Sequence, residues 1–231
     1  MNDLIERLSA QKKEMLTLCM RILSDNKDLY TTDMWCMAVA NVSCSNITAF
    51  TELSRKNMHL AAIVFIRMHL DCLLRLFSSF IITPMHDWTE MLSLSGESIS
   101  KCKVIVNGKP KPVTQRFLCE QITAVEKVDW VSRVFDKTSR FIHPSDIHFR
   151  SALIDKKEKD NLADFSLQIR QDGTIEWPED EIRMNYMCMI DVTDKIIKYL
   201  TCWYHIKNGT ESELKKIGIN LRLMPKFQIK K

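Results

Sequence analysis

The chain has 231 residues, 45% of them hydrophobic and 27% charged, which is ordinary globular usage, long enough for one well-cored domain, and excludes a disordered chain. Five Gly and six Pro favour long helices over many short strands. The net charge of +4 conceals an asymmetry: residues 98–119 and 214–231 hold eleven of the 33 basic residues and no acid, leaving 22 bases against 29 acids elsewhere.

In chain order, residues 3–24 carry Leu4, Leu8, Met15, Leu18 and Ile22 at near-helical spacing, behind a charged N-terminus without the apolar core of a signal peptide. Thr32 or Asp33 is placed to cap a second helix running to about Arg55. A third runs from about Asn57 to Ile82, where Thr83-Pro84 stops it. This is the most apolar stretch, yet Arg67, His69, Asp71 and Arg75 interrupt it. A charge at mid-bilayer costs roughly 2.5–3.5 kcal/mol, so no membrane span is expected and a cytoplasmic protein is. A short helix and a loop follow at 87–100.

The pattern then changes. "KCKVIVNGKPKPV" alternates around Asn107-Gly108 and predicts a hairpin over about 102–113, its prolines suited to an exposed edge. Thr114 is placed to cap the next helix, which gives way to another at about 128–143. A second hairpin is expected over about 164–177 around Asp172-Gly173, then a long helix over 179–207 entered by Pro178 and ended at Asn208-Gly209. The fold expected is mainly α: one domain, an antiparallel helical bundle of four to five long helices, core at about 30–206, two small inserted β-hairpins and a basic C-terminal tail at 214–231. The eight cysteines lie singly, without a CxxC pair, and read as small core residues.

Two helices could carry chemistry. On the third, Ile63, Ile66, Leu70, Leu73, Leu74 and Phe77 make the buried stripe, with Arg67 at its margin and Asp71 and Arg75 continuing its line. A guanidinium beside an apolar stripe needs a partner, and Asp71 in the weaker helix orientation is not enough. Arg67 is therefore either an interhelical structural ion pair or an anion-binding arginine in a cleft. On the helix "VDWVSRVFDKTSRFIH", Val128, Val131, Phe135, Thr138 and Ile142 make the core-facing stripe, and Ser132, Asp136, Ser139 and His143 a polar edge. Pro144 ends the helix, leaving His143 where the helix dipole favours an imidazolium. That position suits either a proton-transferring imidazole or a cap on the last carbonyls. "HPSDIH" offers His143, Asp146 and His148 as metal ligands, but the proline and the lack of another His/Cys cluster argue against it, and no metal or other cofactor is expected.

"SRFIHPS" resembles the S-x-x-x-H-P-S ending of a group of uncharacterised bacterial helical proteins, and "RMHLD" resembles their upstream Arg-x-x-x-Glu helix. These are similar to the HEPN superfamily, whose active members are metal-independent ribonucleases with an Arg-x4-6-His motif. The resemblance covers about 30–206 and matches at Arg67, Asp71, Ser139, His143, Pro144 and Ser145. It implies a compact helical bundle that often forms a homodimer, RNA or a nucleotide as partner, and a toxin or phage-defence role. It also implies a site with His143 as general base or acid, Arg67 or Arg140 stabilising phosphate charge, and Ser139 orienting the imidazole. Asp71, Lys137, Ser145 and His148 fall on the substrate-binding side of that site, and the basic stretches would hold the RNA backbone. One departure stands out: where the motif arginine would fall, residues 136–138 are Asp136, Lys137 and Thr138. A non-catalytic module binding a nucleotide, a nucleic acid or a protein is the other reading.

Overall fold

The computed structural model describes residues 1–25, 28–94, 99–142, 153–154, 166–167 and 177–230. It is mainly helical with a small four-stranded sheet. Helices α1 (Asn2–Ser24), α2 (Thr31–Arg55), α3 (His59–Ile81), α4 (Met85–Leu94), α5 (Gln115–Glu126), α6 (Trp130–Ile142) and α7 (Glu179–Lys207) are joined by strands β1 (Ile82–Thr83), β2 (Lys103–Val106), β3 (Lys109–Pro112), β4 (Leu153–Ile154), β5 (Ser166–Leu167) and β6 (Phe227–Lys230).

Helix α3 is the axis of the core. Sixteen of its 23 residues are buried, because α2, α6 and α7 pack on different sides of it. Its stripe of Ile63, Ile66, Leu70, Leu73, Leu74 and Phe77 is at most 1% exposed. Each such side chain contributes roughly 1.5–3 kcal/mol over its exposed state. Tyr199 of α7 lies against both Phe77 and Phe80, ring centroids 5.4 Å away in each case. Trp88 is fully buried and its indole N–H donates to Ser78 Oγ at 2.8 Å, which pins α4 to α3 and makes this tryptophan core, with no face for a base.

Capping shows how the sequence sets the helix ends. Thr114 Oγ1 accepts from the Phe117 N–H at 3.1 Å and starts α5. At α2 the expected cap is corrected: the helix begins at Thr31, and Asp33 acts from inside the first turn, its Oδ2 accepting from the Tyr30 N–H at 2.8 Å. Asp33 has a second task. Its carboxylate also accepts from Trp203 Nε1 at 2.7 Å and from Lys207 Nζ at 2.9 Å, and Lys207 donates in turn to the Ile22 carbonyl at 2.7 Å. One buried ion pair therefore ties the end of α7 to the start of α2 and the end of α1.

Strands β2 and β3 pair antiparallel around Asn107-Gly108, both at positive φ, with β3 exposed along its whole length. The reading of 214–231 as a tail is corrected. Leu214, Ile219 and Met224 are buried, and β6 is an inner strand of the sheet, parallel to β1 and antiparallel to β2 in the order β1-β6-β2-β3. Phe227 delivers this segment by packing its ring on Phe117 of α5, centroids 5.3 Å apart. Of the region expected to hold a second hairpin, β5 is described and pairs with β4, Leu153 opposite Leu167; the Asp172-Gly173 turn lies outside the described residues.

Candidate functional site

Arg67 is 4% exposed. Its guanidinium donates to Asp71 Oδ1 at 2.5 Å along α3 and to Gln115 Oε1 at the start of α5, while Gln115 Nε2 returns to Asp71 Oδ1 at 2.7 Å. From α6 the Phe135 ring lies 4.2 Å from the guanidinium carbon. Three helices thus converge on one arginine, through a carboxylate, an amide and an aromatic face. Sequence reasoning required a partner beyond α3; it did not find Gln115, which a lone polar residue at a helix start does not announce.

The same ring explains a correction on α6. The buried residues are Val131, Val134, Thr138 and Phe141, so the core stripe is turned by about one residue from the expected Val131, Phe135, Thr138 register. Phe135 is half-buried because it serves as a platform, with Arg116 also over it at 5.7 Å. Arg116 is exposed and pairs with Asp136 at 2.6 Å. The expected polar edge is present as far as it is described: Ser132 and Ser139 are half-buried, Asp136 exposed.

The charges of this site balance internally. Arg67 faces Asp71 and Arg116 faces Asp136, two cations for two anions. The buried Arg67 Nε has no hydrogen-bond partner among the described residues. Such an arrangement cements three helices and offers little net field to an incoming phosphate.

Of the candidate residues, Arg67 and Asp71 are brought together directly. Asp71 also reaches the rim of an apolar groove of about 290 Å³ between α2 and α3, walled by Trp35, Val39, Val42 and Met68. Ser139 lies one turn beyond Phe135, but its hydroxyl donates to the Phe135 carbonyl at 2.6 Å, a back-bond to its own helix. Arg140 is exposed. Lys137 is exposed on the side of α6 away from Phe135, where its charge is felt at Cys188 of α7. Lys137 and Arg67 therefore do not share a site. His143, Pro144, Ser145, Asp146 and His148 lie outside the described residues. Among the described residues no group of three His, Cys, Asp or Glu side chains is placed to hold a metal, and no helix is long and apolar enough to cross a membrane.

Cys119, under this cluster, shows how dry the junction is: burial pushes its thiol up to about 12, outweighing the nearby Arg67. The free cysteines Cys19, Cys36, Cys72, Cys119 and Cys202 are buried and Cys44, Cys102 and Cys188 partly so. Burial likewise raises the Cys36, Cys72 and Cys202 thiols, so these are packing residues and poor nucleophiles.

Arg67→Lys is expected to lower the unfolding free energy by about 1–2 kcal/mol, since an ammonium keeps the Asp71 contact and loses the fork to Gln115 and the stack on Phe135. Urea denaturation at pH 7 measures it, and an unchanged midpoint would mean that the guanidinium shape is idle. None of the family models, curated proteins or solved structures compared with the chain matches it.

Proposed function

We propose that the chain is a HEPN-like, cytoplasmic RNA-binding module in which Arg67 does not serve a catalytic histidine. One observation carries the choice between binding and cleavage: the buried arginine nearest α6 has its charge spent on Asp71, Gln115 and Phe135. Metal-independent cleavage needs a cation free to stabilise a phosphorane-like charge and an imidazole to move the 2′-hydroxyl proton. Arg67 would have to leave three partners to serve. The mainly helical fold and the polar edge of α6 from Ser132 to Ser139 support the HEPN-like part of the reading.

The competing reading is a metal-independent ribonuclease of toxin or phage-defence type, favoured by the sequence spacing of Ser139 four residues before His143. Purified protein incubated with a structured RNA in the presence of a chelator separates the two. The expected result is retention of the RNA in a binding assay with no cleavage, by wild type and His143→Ala alike. Cleavage by wild type that His143→Ala abolishes would replace the module with the ribonuclease, and failure of the wild type to retain any RNA would remove both.

A further inference from the structure

The two acid-free basic stretches are about a hundred residues apart in sequence, and the fold brings them into adjacent strands. Strand β2, from 98–119, and strand β6, from 214–231, pair antiparallel with Lys103 directly opposite Lys230. Burial assigns the faces. Val104 is fully buried and Phe227 and Ile229 partly so, towards α5; Lys103, Gln228 and Lys230 are exposed on the other side. Lys101 precedes β2 and is exposed, while Lys109 at the hairpin tip stands opposite Val106 and so belongs to the Val104 side. Strands β2, β3 and β6 contain no Asp or Glu.

Lysines on a sheet commonly guard an edge against pairing with another chain. That accounts for Lys109 and Lys111 on the edge strand β3, and Lys111 is in addition spoken for by the Phe117 ring at 4.9 Å and Glu120 at 3.7 Å. It does not account for Lys103, which has Pro112 opposite it on one side and Lys230 on the other; Lys230, beyond the end of β1, is paired on the β2 side. Like charges directly opposite, with Cβ atoms about 5 Å apart, work against the pairing. Among the described residues neither lysine makes an ion pair with an acid. An anion lying across the two strands would turn this repulsion into attraction.

We propose that the outer face of the β6-β2-β3 sheet, centred on Lys103 and Lys230 and preceded by Lys101, is the surface on which this protein takes the sugar–phosphate backbone of RNA. The choice of RNA rests on the function proposed above; the choice of a nucleic-acid backbone over a lipid surface rests on the face itself. A membrane-binding surface pairs its basic residues with exposed large apolar side chains. The exposed large apolar residues, among them Leu16, Met20, Leu29, Met34, Met184 and Leu223, lie off these strands, and Ile105, which alternation puts on the Lys103 face, is half-buried. The face also presents no exposed aromatic ring on β2, β3 or β6 for stacking a base, so contact is with phosphates and independent of sequence.

Fluorescence anisotropy with a labelled double-stranded RNA, titrated at several salt concentrations, tests this. Each lysine that neutralises a phosphate contributes about 0.9 to the slope of log K against log salt. Lys103→Gln/Lys230→Gln is expected to flatten the slope by about 2 units. Lys103→Arg/Lys230→Arg is expected to keep the wild-type slope, as is Lys12→Gln/Lys13→Gln on α1, and melting temperatures report that all fold. Wild-type binding with a slope that the Lys103→Gln/Lys230→Gln variant leaves intact overturns the inference and spares the RNA-binding reading. No wild-type binding to RNA overturns both. Binding to phosphatidylserine vesicles in place of RNA overturns the surface's assignment in favour of a membrane.

Discussion

Replacing Lys207 with methionine is expected to lower the unfolding free energy at pH 7 by about 3–5 kcal/mol. The side chains of Lys207 and Asp33 have no solvent exposure, and the pair spans 174 residues of chain. Methionine fills most of the lysine's volume, so the loss is electrostatic. The Asp33 carboxylate would keep the Trp203 and Tyr30 N–H groups, at 2.7 and 2.8 Å, and lose the opposite charge that justified its burial. The Ile22 carbonyl would lose a donor at 2.7 Å, in the last turn of α1 where helix carbonyls lack intrahelical partners. Asp33→Asn is expected to cost a similar amount by stranding the ammonium. The double variant Asp33→Asn/Lys207→Met should then be less damaging than the sum of the two, with a coupling of about 2 kcal/mol or more in a double-mutant cycle from urea melts. Additive losses, or a Lys207→Met cost below about 1 kcal/mol, would show that the pair is solvated in practice.

That pair also marks where reading the sequence stops being informative. Asp33 is legible as a helix-start residue and Lys207 as a basic residue in the last turn of a long helix. Nothing local joins them, because their meeting depends on α7 returning antiparallel beside α1. The same limit applies to β6. "FQIK" alternates, but four residues behind two 3-10 turns in a lysine-rich run read as a tail, and its partners, β1 and β2, lie more than a hundred residues upstream. By contrast α1, α3 and α7 are long and strongly periodic, the Asn107-Gly108 turn demands positive φ, and Thr114 is followed by an apolar run; each signal is contained in a few consecutive residues. The candidate site divides in the same way. The need of Arg67 for support is a property of one helix and was legible, whereas the identity of that support, an amide from α5 and a ring from α6, is a property of three.

Phe135 is an apolar residue put to a use other than core packing. A phenylalanine at helical spacing reads as core, and its spacing is close enough to the true stripe that periodicity does not separate them. Two guanidiniums over its face, Arg67 at 4.2 Å and Arg116 at 5.7 Å, give it another use. Aromatic and carboxylate partners together immobilise the arginine that the resemblance would send to a phosphate.

Acid is expected to unfold this protein in large part through His69. The residue is fully buried in α3, and burial pushes its imidazole down to about 3. Its hydrogen bonds settle the tautomer. Thr193 Oγ1 donates its proton to the Met189 carbonyl at 2.7 Å and so can only accept from His69 Nε2, 2.9 Å away. The ring therefore carries its proton on Nε2, and Nδ1 is a bare acceptor without a partner among the described residues. A second proton would have to sit on that nitrogen, in the core. In the unfolded chain the same ring titrates near 6.5, so between pH 6.5 and 3 the unfolded state holds the extra proton and the folded state does not. Stability from this residue is complete above pH 6.5 and falls as pH drops, by about 1.4 kcal/mol per unit, or roughly 3 kcal/mol between pH 6.5 and 4. Other groups also titrate on this limb, among them Glu126. Its burial opposes ionisation, but hydrogen bonds from Lys195, Lys198 and Tyr199 prevail and lower its carboxyl, so it too loses stabilisation as acid is added. The variant His69→Gln isolates the histidine: its amide can donate to Thr193 and has no charge to acquire. Urea melts at pH 7 and pH 4 should show the wild type losing about 3 kcal/mol more than His69→Gln over that interval. In NMR titration the wild-type ring is expected to stay in the Nε2–H form down to pH 5, and a ring that titrates near 6.5 in the folded protein would disprove the burial on which the whole α3–α7 contact rests.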